Sequence, residues 1–234
     1  MQAYAALRRF PDTPMIDFAA ARRMMVDGQI RTSDVTDLRI ISAMLDIPRE
    51  KFLPPEQASF AYFDLDVPAS TAAPPRRLLK PMVLAKLIQA AEIAHSDVVL
   101  DVGCASGYST AVLARLARSV IALEEDAALA QRAAENLRDL GAVGTQVVTN
   151  ALGAGWPPGA AYDVIFLNGA FETMPAALLR QLKQGGRLVG VKGCPPAGKA
   201  MLYRSISGEV SGRPIFDATA PLLPGFVQSP TFVF

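Results

Sequence analysis

The sequence is poor in the residues from which metal sites and disulfide frameworks are built. Its 234 residues include two cysteines, Cys104 and Cys194, and one histidine, His95. So few ligands argue against a Cys/His metal cage, and two cysteines do not make a disulfide framework. We therefore expect no metal cofactor, and a reducing, cytoplasmic setting fits. His95 lies in a polar turn before a strand, where a solvated side chain is expected in preference to a catalytic triad.

The sequence also lacks an excess of charge of one sign and lacks long apolar runs. With 23 basic and 22 acidic residues the net charge is +1, which provides no broad field for nucleic acid or an anionic membrane. No apolar run approaches the ~20 residues of a membrane helix. Arg8 and Arg9 follow the short apolar start, which is the wrong order for a secretory signal. We expect no nucleic-acid partner and no membrane partner.

The N-terminal third has helical patterns separated by loops. Residues 1–15 are expected to form a loose arm. Asp17 is a plausible N-cap for a first amphipathic helix, and Thr36 or Asp37 for a second. Residues 60–80 are rich in proline and small residues, so we expect an extended, largely irregular connection.

The rest of the chain predicts an α/β fold. Pro81 opens a helix, and after residue 97 short apolar strands alternate with helices. This alternation favours a mostly parallel sheet covered on both faces. Two further strands around a Gly/Ser turn are expected in the tail. We therefore expect residues 1–80 to pack as a helical and extended segment on a ligand-binding core, residues 81–234.

The stretch VLDVGCASGYST, residues 99–110, indicates a ligand-binding site. Asp101 ends a buried strand, and a turn holding Gly103 and Gly107 leads into a helix. In a parallel sheet, ligands bind at the carboxyl ends of strands. The spacing is not G-x-G-x-x-G; it matches D/E-x-G-x-G-x-G with Ala105 in place of the middle glycine. A glycine pair alone is a weak signal, because many turns use glycine only for its conformation.

Two acids indicate what the turn binds. Glu124 ends the next strand, about 20 residues on, where a carboxylate can bind ribose hydroxyls. Asp101 would repel a diphosphate but suits an ammonium or a sulfonium. S-adenosylmethionine has a ribose, both cationic groups and no phosphate, so it fits better than NAD. An NAD-dependent oxidoreductase is therefore disfavoured. The alternative that stays open is a structural turn whose neighbouring acids bind no ligand.

Several segments, in the same order, resemble the protein-L-isoaspartate O-methyltransferase family, a group of class I S-adenosylmethionine-dependent methyltransferases. The likeness covers about residues 17–193. Its segments are RRMMVDGQI, ISAMLDIPREKFLP, AYFDLDVP, VLDVGCASGYSTAVLARLA and YDVIFLNGAFETMPAALLRQLKQGGRLVGVKG. The resemblance implies a three-layer Rossmann-like fold with a mostly parallel seven-stranded sheet, helices on both faces and an N-terminal helical segment.

The resemblance also implies a cofactor site and a product, S-adenosyl-L-homocysteine. The cofactor-binding residues that it implies, together with the two acids, are Asp101, Gly103, Cys104, Ala105, Ser106, Gly107, Tyr108, Glu124, Asn150, Ala151 and Asn168. Ala151, like Ala105, departs from the expected pattern. Ala151 stands where the family has the Asp of a Gly-Asp-Gly segment, which is expected to contact the adenine amino group, and Asn150 could substitute.

The acceptor segment departs further. The family has Gly-Gln-Thr-Ile-Ser before the helix that starts near Pro81, and its two hydroxyls are implicated at the methyl-acceptor site. In that alignment Arg77 replaces the Thr and Leu79 the Ser. Arg77 could hold an acceptor carboxylate bidentately, or Arg76 and Arg77 could be a solvated basic pair.

We therefore expect methyl transfer to a carboxylate, and the acceptor that the resemblance implies is an isoaspartyl residue in a protein. The partner would be a protein or peptide carboxylate, or an unidentified small molecule. Transfer from a sulfonium to an anion needs orientation and exclusion of water more than acid-base help. The alternatives are a methyltransferase for another acceptor and a non-catalytic homologue that binds the cofactor or a partner. The sequence does not indicate the oligomeric state.

Overall fold

The computed structural model describes residues 16–227, so the loose arm predicted for residues 1–15 lies outside the described residues. The helices are α1 (Phe18–Met25), α2 (Leu38–Asp46), α3 (Pro81–Ala90), α4 (Tyr108–Ala114), α5 (Ala127–Asp139) and α6 (Ala176–Leu179). The strands are β1 (Val67–Pro68), β2 (Arg77–Leu78), β3 (Val98–Val102), β4 (Ser119–Glu124), β5 (Thr145–Thr149), β6 (Tyr162–Phe171), β7 (Leu182–Lys192), β8 (Lys199–Ile206) and β9 (Glu209–Asp217).

A seven-stranded sheet with the order β5-β4-β3-β6-β7-β8-β9 forms the centre of the molecule. Strands β3 to β7 run parallel to one another, and β8 and β9 add an antiparallel edge. The prediction of a mostly parallel seven-stranded sheet is confirmed. The chain runs from β3 to β4 on one side and returns to β6 on the other, so the carboxyl end of β3 lies at the switch in strand order. Ligands bind at this position in open α/β sheets.

Both faces of the central strands β3 and β6 are buried. Val99 belongs to a hydrophobic cluster that includes residues of α2, α3 and α4, whereas its neighbour Leu100 belongs to a second cluster with Leu178 of α6. Successive strand residues point to opposite faces, so the continuous apolar run of β3 is explained by burial on both. Asp101 falls on the Val99 face, toward α4.

The N-terminal helices begin at the N-cap residues that the sequence predicts, but the chain after α1 differs from a regular α-helix. The carboxylate of Asp17 accepts a hydrogen bond from Ala20 N at 2.9 Å, and Asp37 caps α2 in the same way. Beyond α1 the chain continues as a π-helix over Val26–Ile30. The prediction of an extended, largely irregular segment at residues 60–80 is confirmed for most of its length. Within it the two-residue strands β1 and β2 pair, with Val67 opposite Leu78.

Arg49 joins the N-terminal segment to the core, and its side chain is fully buried. Its Nε donates to Ala61 O at 2.7 Å, and its Nη2 donates to Leu79 O at 2.8 Å. Its guanidinium lies over the ring of Tyr108, 4.8 Å from the centroid. A single cation thus satisfies two buried carbonyls and packs against the helix that follows the glycine turn.

Arg49→Ala is expected to lower the free energy of unfolding by about 3 kcal/mol, because two buried acceptors lose their donor and a cavity remains. Denaturant unfolding followed by circular dichroism measures this. Lys51→Ala, two residues on and exposed, is the control and should stay within about 0.5 kcal/mol of the parent. Equal effects of the two substitutions would contradict the role given to Arg49.

The described part of the chain contains no helix that is long and apolar enough to cross a membrane. Within residues 16–227 there is also no group of three or more His, Cys, Asp or Glu side chains arranged to hold a metal ion. His95 is exposed, as its polar turn predicts.

Candidate cofactor site

The turn between β3 and α4 has a backbone that needs small residues. Gly103, Ala105 and Gly107 have φ values of 77°, 51° and 95°. Ala105 adopts this left-handed conformation although it has a Cβ, at a cost of about 1 kcal/mol. Hydrogen bonds hold it there: Gly103 N donates to Leu123 O at 2.8 Å, and Ala105 N donates to the Glu124 carboxylate at 2.8 Å. The turn is therefore tied to the end of β4.

The carboxyl group of Asp101 is buried, and one of its two oxygens accepts hydrogen bonds from the protein. Its Oδ2 accepts from Ser109 Oγ and Thr110 Oγ1, both at 2.7 Å, in the first turn of α4. Its Oδ1 has no hydrogen-bond partner among residues 16–227. Burial raises the pKa of Asp101 to about 6, although both hydroxyls favour the charged form.

Asn168, on β6, adds a second acceptor beside this group. Its Nδ2 donates to Ser109 Oγ at 2.6 Å, so Asp101, Ser109 and Asn168 form one network. Asn168 is 4% exposed, and its Oδ1 likewise lacks a donor in the described part of the chain. Two buried acceptor oxygens without donors fit a ligand that carries N–H groups, as the ammonium of S-adenosylmethionine does.

Glu124 is fully buried at the end of β4. Its Oε2 accepts from Ala105 N, and its Oε1 accepts from Glu125 N at 3.1 Å and Asp126 N at 3.3 Å. Backbone donors therefore hold both oxygens. The remaining contact is a longer one, 3.4 Å, to the guanidinium of Arg76. A ribose hydroxyl could replace that contact without disturbing the backbone bonds.

Arg76 covers the glycine turn. Its Nη2 donates to Gly103 O at 2.9 Å, and its side chain is 11% exposed. A Cβ added to Gly103 would lie 2.4 Å from this Nη2 and 2.8 Å from Leu223 Cδ2. The polar groups fit S-adenosylmethionine, but the space in front of Gly103 holds two side chains of the chain itself. A ligand that approaches Gly103 from this side would displace Arg76 and Leu223.

The acceptor candidates lie elsewhere. Arg77 Nη1 donates to Asp66 O at 2.9 Å, within the β1–β2 hairpin region, and Leu79 is 1% exposed in the core. Neither donates a hydrogen bond to the glycine turn in the described part of the chain, whereas Arg76 does. The alternative interpretation of Arg76 and Arg77 as a solvated pair is therefore wrong for Arg76. An acceptor role for Arg77 or Leu79 stays a prediction.

The other residues of the turn make contacts with the protein itself. The Ser106 hydroxyl donates to Phe52 O, and the Tyr108 ring packs edge-on against the Phe52 ring at 5.5 Å. Cys104 is buried, and burial raises the pKa of its thiol well above the usual value. A Cβ on Gly107 would lie 3.3 Å from the Cβ of Ala133 in α5. These contacts fix the turn against the N-terminal segment and α5, a role that the sequence does not reveal.

Asn150 and Ala151 follow β5, at the same edge of the sheet. Asn150 Nδ2 donates to Gly155 O at 2.9 Å, and Ala151 is exposed. A position of these two residues near the adenine stays a prediction.

Comparison with known proteins identifies the family. The model of the protein-L-isoaspartate(D-aspartate) O-methyltransferase family matches residues 20–199. The chain belongs to this family. The protein-L-isoaspartate O-methyltransferase 1 of Rhodopseudomonas palustris strain HaA2 is 39% identical over 172 residues, which are 74% of this chain and 69% of the relative. The Koribacter versatilis protein-L-isoaspartate O-methyltransferase is 34% identical over 214 residues, 91% of this chain and 95% of the relative.

Solved structures support the fold of this family member. A protein-L-isoaspartate O-methyltransferase with 24% identity superposes with a TM-score of 0.76 and covers 87% of this chain; the chain spans 66% of that structure. A Plasmodium falciparum homologue, crystallised with S-adenosyl-L-homocysteine, gives a TM-score of 0.72 at 18% identity, with 89% and 99% coverage. The class I methyltransferase fold that the sequence predicts is therefore confirmed.

Proposed function

We propose that this chain binds S-adenosylmethionine and transfers its methyl group to the carboxylate of an isoaspartyl residue in a polypeptide. The observation that supports this most strongly is the pair of buried carboxylates, Asp101 and Glu124, on either side of the turn Gly103–Gly107 in a chain of this family. The pair matches a ligand with a cationic amino acid part and a ribose.

Four residues would hold the cofactor. The donor-free oxygens of Asp101 and Asn168 would accept from its ammonium group, Glu124 would accept from the ribose hydroxyls, and Asn150 would lie near the adenine. When bound, S-adenosylmethionine supplies a methyl group on a sulfonium centre, which needs no further activation. The chain orients the cofactor relative to the acceptor, and it excludes water because the turn at residues 103–107 is buried.

Arg76 offsets the negative charge of the site. An anionic acceptor that approaches Asp101 and Glu124 is repelled by both, and a nearby guanidinium reduces this repulsion. Ribose binding to Glu124 would release the 3.4 Å contact of Arg76. Arg76 would keep its hydrogen bond to Gly103 O, and its other N–H groups would pair with an acceptor carboxylate.

Transfer of a radiolabelled methyl group to an isoaspartyl peptide tests the proposed function, with the aspartyl isomer of the same peptide as control. A labelled methyl ester on the isoaspartyl peptide alone is the expected result. Cofactor binding without any ester would instead support an acceptor of another kind or a non-catalytic homologue. Absence of cofactor binding by a folded protein would overturn the proposal as a whole.

Binding of S-adenosylmethionine is expected to weaken about tenfold between pH 7 and pH 5. The folded-state pKa of Asp101 is raised to about 6, so below this pH the group is neutral and loses its attraction for an ammonium. As the pH rises through 6 the carboxylate forms, and the affinity approaches its plateau near pH 7. Calorimetric titration across this range measures the effect.

Asp101→Asn is the matched control for the pH experiment. This variant should bind weakly at every pH between 5 and 7, because the amide oxygen carries no charge that titrates. A parent protein whose dissociation constant is the same at pH 5 and pH 7 would remove Asp101 from the ammonium site.

A further inference from the structure

A cavity of about 710 Å³ opens beside the acceptor segment, between the start of α3, the β7–β8 connection and the end of β9. This volume suits a small ligand or a few side chains of a peptide. Its polar lining comes from Lys80, Lys192, Lys199, Asp217 and Thr219. None of the residues of the glycine turn lines it, so it is distinct from the cofactor site.

The lining carries a positive charge. Lysines from three elements line the cavity: Lys80 precedes α3, Lys192 ends β7 and Lys199 begins β8. The single carboxylate of the lining, Asp217, accepts from Lys199 Nζ at 2.6 Å. That pair is exposed and therefore weak, which leaves two further ammonium groups for an anion.

The start of α3 adds to this charge. Its N-cap residue, Lys80, makes no side-chain cap, and its first turn holds no acidic residue. Met82 and Val83 of that turn line the cavity, so the positive end of a ten-residue helix faces it. One acid lies nearby outside the lining: Asp66 Oδ1 accepts from Lys80 N at 2.8 Å.

The cavity and the cofactor turn share two chain segments. Lys80 lies four residues after Arg76, and Thr219 lies four residues before Leu223; Arg76 and Leu223 are the side chains that cover Gly103. Lys80 Nζ lies 3.3 Å from Thr219 Oγ1, so the two segments also touch at the cavity. Four extended residues span about 13 Å. A polypeptide with one carboxylate at the turn therefore reaches the cavity with a side chain roughly four residues away.

We propose that this cavity binds an acidic side chain of the acceptor polypeptide, several residues from the residue that is methylated. The inference rests on the proposed function and adds a preference to it: among isoaspartyl sites, those with a nearby Glu or Asp are favoured. A free anion such as inorganic phosphate shares the chemistry of a carboxylate, and the experiment separates the two sources.

The test uses pairs of isoaspartyl peptides that differ only in Glu or Gln, placed four residues before or after the isoaspartyl residue. We expect the Glu peptide of at least one pair to have a KM about fivefold lower at low salt, with equal kcat. Lys192→Glu should remove this difference and leave the KM of the Gln peptide unchanged. Lys51→Glu makes the same charge change at a different cavity, beside Asn136, and should retain the preference.

A direct measurement of peptide binding tests the cavity independently of methyl transfer. Anisotropy of the labelled peptides, measured with S-adenosyl-L-homocysteine present, reports acid-dependent binding even if no methyl ester forms. Glu-dependent binding that Lys192→Glu abolishes would support the cavity although the proposed reaction had failed. Equal binding and equal KM of all Glu and Gln peptides would overturn the inference and leave the methyltransferase activity untouched.

A phosphate titration at constant ionic strength distinguishes the ligand sources. Inorganic phosphate should compete with the Glu peptide for the parent protein and have no such effect on Lys192→Glu. If phosphate binds in a manner that depends on Lys192 while the Glu and Gln peptides behave alike, the cavity is a site for a free anion, and its assignment to the acceptor polypeptide is wrong.

Discussion

Gly103→Val is expected to abolish measurable binding of S-adenosylmethionine, a loss of more than about 100-fold, with most of the fold retained. The new Cβ would lie 2.4 Å from Arg76 Nη2 and 2.8 Å from Leu223 Cδ2. Both atoms are at the ends of flexible side chains, so the protein can shift them at a cost of about 1–3 kcal/mol. The space through which a ligand approaches the turn stays filled by the valine itself, and this part of the effect cannot relax.

Gly185→Val is the control for backbone strain. Gly185 has the same φ as Gly103, 77°, but a Cβ there meets nothing within 4 Å. Both variants carry the penalty of a side chain in the left-handed region, about 1–2 kcal/mol, and only Gly103→Val fills the turn. Calorimetric titration of each folded variant compares them.

The double variant Gly103→Val with Arg76→Ala sharpens the comparison. Removal of the guanidinium clears the shorter of the two overlaps, so stability should return in part. Binding should not return, because the valine still occupies the approach. A double variant that binds the cofactor as the parent does would show that the ligand lies elsewhere.

The strands and the edge of the sheet that bears the site could be predicted because their signals are local. Apolar runs such as β3 are buried on both faces, and the acids Asp101 and Glu124 end two neighbouring parallel strands. Parallel strands bring their carboxyl ends together whatever the rest of the chain does. The two acids therefore meet at one turn, as the sequence predicts.

The side chains that cover the glycine turn, Arg76 and Leu223, could not be predicted, because their positions depend on contacts between distant segments. Arg76 and Arg77 are neighbours in sequence, and which of them faces the turn is decided by the register of the two-residue strand β2. Leu223 comes from the tail, where no periodic pattern reports its position. Similarly, Ser106 and Tyr108 suit a ligand-binding motif by type, yet they contact Phe52, which lies more than fifty residues away in sequence.

Glu124→Gln is the second substitution with a large expected effect. Both carboxylate oxygens face N–H donors: Ala105 N and the Arg76 guanidinium on one side, Glu125 N and Asp126 N on the other. Whichever way a glutamine amide is turned, its NH₂ group meets a donor. We expect a loss of about 1–3 kcal/mol in the free energy of unfolding, and a dissociation constant for S-adenosylmethionine raised about 10- to 100-fold.

Glu125→Gln supplies the matched control, since Glu125 is the adjacent acid and its side chain is exposed. It changes the net charge equally and should alter neither stability nor affinity by more than about 0.5 kcal/mol. Denaturant unfolding and calorimetric titration of the two variants, at one pH and salt concentration, separate a local effect of Glu124 from a general effect of charge.

A cofactor analogue then separates the two roles of Glu124, as anchor of Ala105 and as partner of the ribose. The parent should bind 2′-deoxy-S-adenosylhomocysteine about tenfold less tightly than S-adenosylhomocysteine, because a buried acceptor loses its donor. Glu124→Gln has already lost that charged acceptor, so it should discriminate between the two ligands by less than about threefold. If the variant discriminates as strongly as the parent, Glu124 does not bind the ribose, and its contribution is to hold the turn through Ala105 N.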